Sequence, residues 1–143
     1  MKVRDVMSRD VVSVAPDEMT SVAARVLARC NVGAVPVCDG KGRVHGLLTD
    51  RDIVLRCVAA EREPAKTPVR EIMSTRVISA APDEDAETAA RRMAAEQVRR
   101  LPVVEDGRLT GVLSLGDLTV NEGLRMEASA CLADICQNVQ RRP

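Results

Sequence analysis

Aromatic residues are missing from this chain of 143 residues, and histidine is almost missing. Phe, Tyr and Trp do not occur, so the core must be built from aliphatic side chains. Proteins that hold single-stranded nucleic acid commonly stack its bases on aromatic rings, and that mode is excluded here. His45 is the only histidine, so no second imidazole can share a metal with it. We expect His45 on the exposed face of a strand.

Charge and hydropathy also lack any strong bias. The 21 basic and 21 acidic residues balance, whereas a face that binds nucleic acid needs a basic excess. No apolar run approaches the ~18 residues of a membrane span, and the first residues lack the apolar core of a signal peptide. The sequence therefore predicts a cytoplasmic protein with no nucleic-acid or membrane partner.

Five cysteines stand at positions 30, 38, 57, 131 and 136, and none forms a Cys-x-x-Cys pair. Their spacing matches no metal pattern. They are interpreted as small buried hydrophobic residues in a reducing compartment. The alternative is a thiol switch, for which Cys131 and Cys136 would not face each other well on a helix. We find no catalytic motif and predict neither an enzyme nor a metal site.

The chain contains an internal repeat. Val3–Ser8 returns as Val69–Ser74, and Gly46–Asp52 returns as Gly111–Asp117. The second copy follows the first by 66 residues in the first pair and by 65 in the second pair. A single residue is therefore missing from the second copy. A unit of about 60 residues is marginal alone, so the two copies should share a core. We divide the chain into repeat 1 at 1–63, repeat 2 at 64–125, and a C-terminal helical tail at 126–143.

Each copy predicts the order strand, helix, strand, strand, helix, which is a mixed α/β (α+β) fold. A short lead-in precedes each copy, at Val3–Met7 and Val69–Met73. The prolines and charges of 61–68 predict a linker. The other predicted elements are strands at 11–14, 34–38, 44–49, 77–80, 101–105 and 109–114, and helices at about 19–30, 50–60, 85–97, from 115 and 126–139. The tail's apolar positions are Ala130, Leu132, Ile135, Cys136 and Val139.

The most informative local motif is a hydroxyl residue at a strand end with an acid three positions later. It occurs as Thr49 with Asp52 and as Ser114 with Asp117. One interpretation is a helix cap. The other is a ribose-phosphate cradle, in which hydroxyl and helix start favour a phosphate and the carboxylate accepts from vicinal sugar hydroxyls. Its presence in both copies favours the second interpretation.

The two copies differ around this motif. Arg99 and Arg100 precede the second hairpin, where the first copy has Gly33 and Ala34. The arginines are interpreted either as a solvated loop or as phosphate ligands. Arg51 lies inside the first motif, where the second copy has Gly116. Two sites are therefore predicted at equivalent positions of the two copies, but with different ligand residues. The site of the second copy has the fuller set of phosphate ligands.

Taken together, these motifs resemble the tandem CBS-domain proteins, also called Bateman modules, in their small stand-alone bacterial form that includes the hypoxic response type. The resemblance runs from about Val3 to Asp117. The residues that carry it are the two Met-Ser lead-ins, the two Ala-Pro-Asp-Glu stretches, Val35-Pro36 and Leu101-Pro102, and the two endings Gly-x-x-Thr/Ser-x-x-Asp.

The resemblance implies two repeats packed as a pseudo-two-fold module, a homodimer, and ligand clefts between the repeats. The ligand is expected to be AMP, ADP or ATP, with S-adenosylmethionine or NAD less expected, and no cofactor is required. In this scheme Asp52 and Asp117 hold ribose. Phosphate contacts come from Thr49, Ser114, Arg99 and Arg100, and the backbone around Val35, Pro36, Leu101 and Pro102 lines the base pocket. From the residues alone, Arg51 is a further candidate ligand in the first copy, where it compensates for the arginines that Gly33 and Ala34 replace.

The resulting hypothesis is a non-catalytic sensor of an adenine nucleotide or adenosyl ligand that regulates an unknown protein in trans. The alternative is a ligand-free dimeric interaction or stress-response protein, for which the helical tail outside the repeat would supply a surface.

Overall fold

A computed structural model describes residues 1–141, and the side chains of these residues except Glu122 and 137–141. The helices are α1 (Val3–Val6), α2 (Thr20–Cys30), α3 (Asp50–Ile53), α4 (Ala86–Glu96), α5 (Leu115–Thr119) and α6 (Arg125–Arg141). The strands are β1 (Ala34–Cys38), β2 (Val44–Thr49), β3 (Arg100–Glu105) and β4 (Arg108–Ser114). The mixed helix-and-strand class is as predicted.

The chain forms two compact units whose composition differs from the linear division at residues 63 and 125. The contiguous unit is Val12–Val77, and the split unit joins Met1–Val11 to Ile78–Pro143. The lead-in of each repeat therefore folds with the strands and helices of the other repeat. The pseudo-two-fold packing of the repeats and the clefts between them stay predictions.

Each lead-in is held by equivalent backbone bonds in its unit. In the split unit, Val3 N donates to Glu84 O at 2.9 Å, and in the contiguous unit Val69 N donates to Glu18 O at 2.9 Å. Val3 and Val69 are each fully buried. The same interactions thus close both units, although the lead-in and its partner are far apart in sequence.

Each unit contains one antiparallel hairpin. The observed β1 and β2 match the predicted bounds, while β3 and β4 each begin one residue earlier. Asp106 and Gly107 form the β3–β4 turn with φ of 52° and 80°, the positive values that tight hairpin turns require. The missing residue of the second copy is thus absorbed in this shorter turn.

The predicted strands at 11–14 and 77–80 are each reduced to one bridge. Val14 pairs in parallel with Val37, and Ala80 pairs in parallel with Val103. The next residue on the same edge is Pro16 in one case and Pro82 in the other. Proline has no N–H to continue the ladder, so pairing stops after one residue.

The long helices α2 and α4 are each followed by a left-handed residue, Asn31 with φ of 53° and Gln97 with φ of 58°. Helix α2 ends at Cys30, which is the predicted end of this helix. The predicted helix at 50–60 is different: α3 gives way to a wide π-helical turn at Val54–Val58, in which Ala59 N donates to Val54 O at 2.8 Å. This wider turn carries the fully buried Cys57.

The tail forms α6, but its predicted apolar face is partly wrong. Ile135 is buried as predicted, whereas Ala130, Leu132 and Cys136 are exposed, and the side chain of Val139 lies outside the described residues. The buried positions of α6 are Ala128, Cys131 and Ile135, which join the core of the split unit together with Leu124, the residue before the helix. Their spacing of about one helical turn places them on the face that packs against α4.

The predicted linker at 61–68 is packed into the contiguous unit. Thr67 is buried, and its carbonyl accepts from the Thr20 hydroxyl at 2.7 Å. His45 is exposed, as predicted, and its Nε2 lies 2.8 Å from the Asp39 carboxylate. Among the described residues, no helix combines the length and the hydropathy needed to cross a bilayer.

Candidate functional site

Both hydroxyl–acid motifs form reciprocal capping boxes at the start of a helix. The Thr49 hydroxyl accepts from Asp52 N at 3.0 Å, and Asp52 Oδ2 accepts from Thr49 N at 3.0 Å. The Ser114 hydroxyl accepts from Asp117 N at 3.0 Å, and Asp117 Oδ2 accepts from Ser114 N at 2.8 Å. In each carboxylate, Oδ2 accepts the hydrogen bond of the helix cap, and Oδ1 is available to another partner.

The cap residue of α3 is Thr49 and not the neighbouring acid Asp50, which is the first helical residue. Threonine takes this role because its extended backbone, with φ of −114° and ψ of 160°, aims the hydroxyl at Asp52 N.

The hairpins bring the predicted site residues to one end of each unit. Ser114 lies opposite Arg100 in the β3–β4 register, and Leu115 N donates to Arg99 O at 2.8 Å. Arg99 and Arg100 are both exposed. Arg100 begins β3 and Ser114 ends β4, so the antiparallel pairing places them side by side. The split unit thus brings two arginines, a hydroxyl and a carboxylate together at one edge.

In the contiguous unit the same place is acidic. Asp50 N donates to Gly33 O at 3.0 Å, which is the equivalent backbone bond. Gly33 is the equivalent of Arg99, and a Cβ on Gly33 would lie 3.4 Å from Asp50 Oδ2. The Asp50 carboxylate therefore lies where the side chain of Arg99 begins in the split unit. Arg51 is exposed, and its backbone N–H donates to Asp50 Oδ1 at 2.8 Å. A phosphate would meet a negative charge here.

Sequence reasoning missed Arg56, which lies beside Asp52. Arg56 Nη1 is 3.6 Å from Asp52 Oδ1, and Asp52 is only 8% exposed. The spacing of four positions on a helix could have indicated this pair. Asp117 is half-buried, and among the side chains that the structure describes no cation lies within ion-pair distance, 4.0 Å, of its carboxylate. The two carboxylates therefore differ in the partner of Oδ1.

The four residues predicted to line a base pocket lie in the cores. Val35 is 1% exposed and Leu101 is fully buried, and Pro36 and Pro102 are buried too. The carbonyls of the two prolines accept from Val14 N and Ala80 N, each at 3.0 Å. These four residues expose almost no surface, backbone included, and their role in lining a base pocket stays a prediction.

The helix dipole contributes little at the site of the split unit. Helix α5 has only five residues, whereas α3 continues into the π-helical turn Val54–Val58, and a dipole needs a row of aligned peptides. Attraction for a phosphate must therefore come mainly from side-chain charge. That condition favours the edge that carries Arg99 and Arg100.

No group of three or more metal-ligating side chains is found among the described residues. All five cysteines are free thiols: Cys30 and Cys136 are exposed, and Cys38, Cys57 and Cys131 are buried. Three of the five thus agree with the interpretation as small buried residues.

Comparison with known proteins places these motifs in context. The family model described as CBS domain matches residues 3–58 and 69–121. The CBS domain-containing protein YhcV of Bacillus subtilis is 42% identical over 138 residues, which cover 96% of this chain and 97% of that protein. The predicted resemblance is confirmed.

Two solved structures are informative. The structure of Hypoxic Response Protein I, with two coordinated zinc ions, has a TM-score of 0.77 at 30% identity and covers 85% of this chain and 98% of its own. The CBS domain pair of protein MJ0100, in complex with 5′-methylthioadenosine and S-adenosyl-L-methionine, has a TM-score of 0.71 at 27% identity and covers 84% and 94%.

Proposed function

Because the chain belongs to the CBS-domain family, we propose that it is a regulatory module that binds an adenine nucleotide at the edge formed by Arg99, Arg100, Ser114 and Asp117. The complex of the MJ0100 domain pair with two adenosyl ligands supports the ligand class. The observation that carries the proposal is the position of Arg100 directly opposite Ser114, with Arg99 bonded to the start of α5.

Asp117 supplies the sugar contact in this proposal. Its Oδ2 is held by the Ser114 backbone at 2.8 Å, so the carboxylate is fixed in orientation before a ligand arrives. The other oxygen accepts hydrogen bonds from the two vicinal hydroxyls of a ribose, and a charged acceptor makes these bonds strong. The capping box thus pre-organises the group that recognises the sugar.

Arg99 and Arg100 supply the phosphate contacts. A guanidinium donates two parallel hydrogen bonds to a phosphate and remains charged at any relevant pH. Two exposed arginines at one edge favour a ligand with phosphates over S-adenosylmethionine, whose sulfonium is a cation. AMP, ADP and ATP are therefore the preferred ligands, ahead of NAD and S-adenosylmethionine.

The absence of aromatic residues sets the manner of base recognition. No ring is present in the sequence to stack on adenine, so the base lies between aliphatic side chains and hydrogen-bonds to backbone. The proposed module has no catalytic role and acts as a cytoplasmic homodimer on a protein target in trans. It requires no cofactor.

Calorimetric titration with AMP, ADP, ATP and S-adenosylmethionine tests the proposal. We expect heat with at least one nucleotide and a loss of affinity of about tenfold or more in Asp117→Ala, since a hydrogen bond to a charged group contributes ~1.5–3 kcal/mol. Asp52→Ala should weaken binding less. Equal losses would contradict the inequality of the sites.

Two further variants separate binding from folding. Asp117→Asn retains an oxygen that can accept from Ser114 N, so the cap survives while the charge is removed; it should bind as poorly as Asp117→Ala. Asp134→Ala removes one exposed acid from α6 and should bind like the unaltered chain.

The second candidate, a ligand-free interaction protein, draws support from the outer face of α6. Met126 and Leu132 are 83% and 43% exposed there, while the opposite face holds the core of the split unit. The same titration discriminates the two candidates. No heat with any of the four ligands, at concentrations where binding should register, would refute the nucleotide proposal and leave this one.

A further inference from the structure

Arg56 reaches acceptors on two sides. It lies in the wide turn Val54–Val58, one helical turn beyond Asp52. Its Nη1 donates to the Ile72 carbonyl at 3.0 Å and to the Ser74 hydroxyl at 3.3 Å, and it lies 3.6 Å from Asp52 Oδ1. The guanidinium therefore stands between the carboxylate and the lead-in of the second repeat, which folds in this same unit.

The equivalent residue in the split unit is Asn121, which follows Asp117 at the spacing by which Arg56 follows Asp52. Its side chain is engaged elsewhere: Nδ2 lies 2.9 Å from Met1 Sδ, and Oδ1 accepts from Gly123 N at 3.0 Å. The two carboxylates thus have the same cap and the same inner hydrogen bonds, and they differ in what faces the outer oxygen.

We propose that Arg56 suppresses sugar binding at Asp52 through the positive charge that it holds 3.6 Å from the outer oxygen, and so adds to the difference in affinity between the two candidate sites. The inference rests on the proposed function, because it assumes that Asp117 holds a ribose. It goes further by assigning the inequality to a residue outside the repeated motif.

A sugar hydroxyl cannot readily displace this arginine. The hydroxyl is neutral, whereas the guanidinium is a cation and a stronger partner for a carboxylate. The two bonds to Ile72 and Ser74 also fix the rigid guanidinium fork in place. Displacing it would leave those acceptors without the donor that now satisfies them.

The competing possibility is that Arg56 is itself a phosphate ligand. Its side chain is 49% exposed, so a phosphate could reach it. The two roles predict opposite results. Removal of a blocking residue tightens binding at the contiguous unit, whereas removal of a phosphate ligand weakens it.

The experiment is made in an Asp117→Ala background, which removes the stronger site. The variants are Arg56→Asn, which copies the split unit, and Arg25→Asn, a control that removes an exposed arginine from α2 of the same unit. The probe is the member of the set AMP, ADP, ATP and S-adenosylmethionine that the unaltered chain binds most tightly. Calorimetry gives the affinity, and thermal unfolding checks that each variant folds.

We expect Arg56→Asn to bind the probe about fivefold more tightly than its background, and Arg25→Asn to leave the affinity unchanged. Unchanged or weaker binding in Arg56→Asn overturns the inference while the proposed function stands. If the unaltered chain binds none of the four ligands, the proposed function fails and this inference with it. Should Arg56→Asn fold poorly, Arg56→Gln retains more of the aliphatic stem and is read against the same background.

Discussion

Each hairpin contains a glycine that a lead-in segment approaches closely. A Cβ on Gly111 would lie 2.7 Å from Ser8 O and 2.8 Å from Met7 Sδ. Real Cβ atoms do not come this near a backbone oxygen, so an alanine must push the lead-in away. We therefore predict that Gly111→Ala destabilises the split unit by detaching Met1–Val11 from the hairpin.

The magnitude follows from two costs. Overpacking a filled position costs ~1–3 kcal/mol. The lead-in is also held by a reciprocal pair of bonds between Ser8 and Val112, each 2.9 Å, and each lost bond contributes ~0.5–1.5 kcal/mol. Partial loss of both gives about 3 kcal/mol, or about 10 °C in Tm for a chain of this size.

The same substitution can be made in the contiguous unit, and a third glycine provides a control. A Cβ on Gly46 would lie 2.6 Å from Ser74 O, so Gly46→Ala should lower the Tm of the contiguous unit by a similar amount. Gly40 lies in the β1–β2 turn with no heavy atom within 4 Å of an added Cβ. Gly40→Ala should change stability by less than ~0.5 kcal/mol.

The assay is thermal unfolding followed by calorimetry and by circular dichroism. We expect the Tm of Gly111→Ala to lie about 10 °C below that of Gly40→Ala. A difference of less than about 2 °C would show that the contact between lead-in and hairpin does not stabilise the split unit.

Two further outcomes follow from charge and burial. Arg92 donates to both carboxylate oxygens of Glu84, at 2.7 and 2.8 Å, and these bonds lower the pKa of Glu84 below its ordinary 4.5. The stability that this shift supplies is present above pH 4.5 and is lost as the pH falls through the folded-state pKa. The gap between the unaltered chain and Glu84→Gln in chemical denaturation should therefore be about 1 kcal/mol at pH 7 and shrink toward pH 3; a constant gap would contradict this. Cys38, Cys57 and Cys131 are buried, and burial raises the pKa of the Cys38 and Cys131 thiols. Only Cys30 and Cys136 should therefore react quickly with a thiol reagent at pH 7, whereas all five should react in denaturant. A third fast thiol under native conditions would contradict the burial of these cysteines.

Local features of this fold could be predicted from the sequence. The β1 and β2 bounds, the short β3–β4 turn and the end of α2 at Cys30 all depend on residues close together in the chain. Turn geometry and helix capping are decided by such local contacts. The same is true of the two capping boxes, which the spacing of hydroxyl and acid predicts directly.

Contacts between distant segments could not be predicted in this way. The exchange of lead-ins joins Val3 to Glu84 and Val69 to Glu18, and neither repeat shows alone which partner it takes. A signal was available in Gly46 and Gly111, since a glycine inside a strand often marks close approach of another backbone. The pattern did not say which backbone approaches.

The π-helical turn and the buried face of α6 were missed for another reason. Both depend on how a helix packs once it is formed. The expected tail face contained Ala130 and Leu132, yet the helix turns Ala128 and Cys131 toward the core. Alanine occurs on both faces of α6, at Ala128 and at Ala130, so the apolar pattern alone left the orientation open.

The capping boxes change what the internal repeat means for function. Asp52 and Asp117 each use Oδ2 to hold the start of a helix, so selection for folding alone would preserve an acid at both positions. The repeated acid is therefore weak evidence for two ligand sites. The discriminating atom is Oδ1, which faces Arg56 in one unit and has no cation against it among the described side chains of the other. It follows that the residues shared by the repeats mainly build the scaffold, and that the residues they do not share, Asp50 and Arg56 against Arg99 and Arg100, distinguish the two edges for the proposed nucleotide.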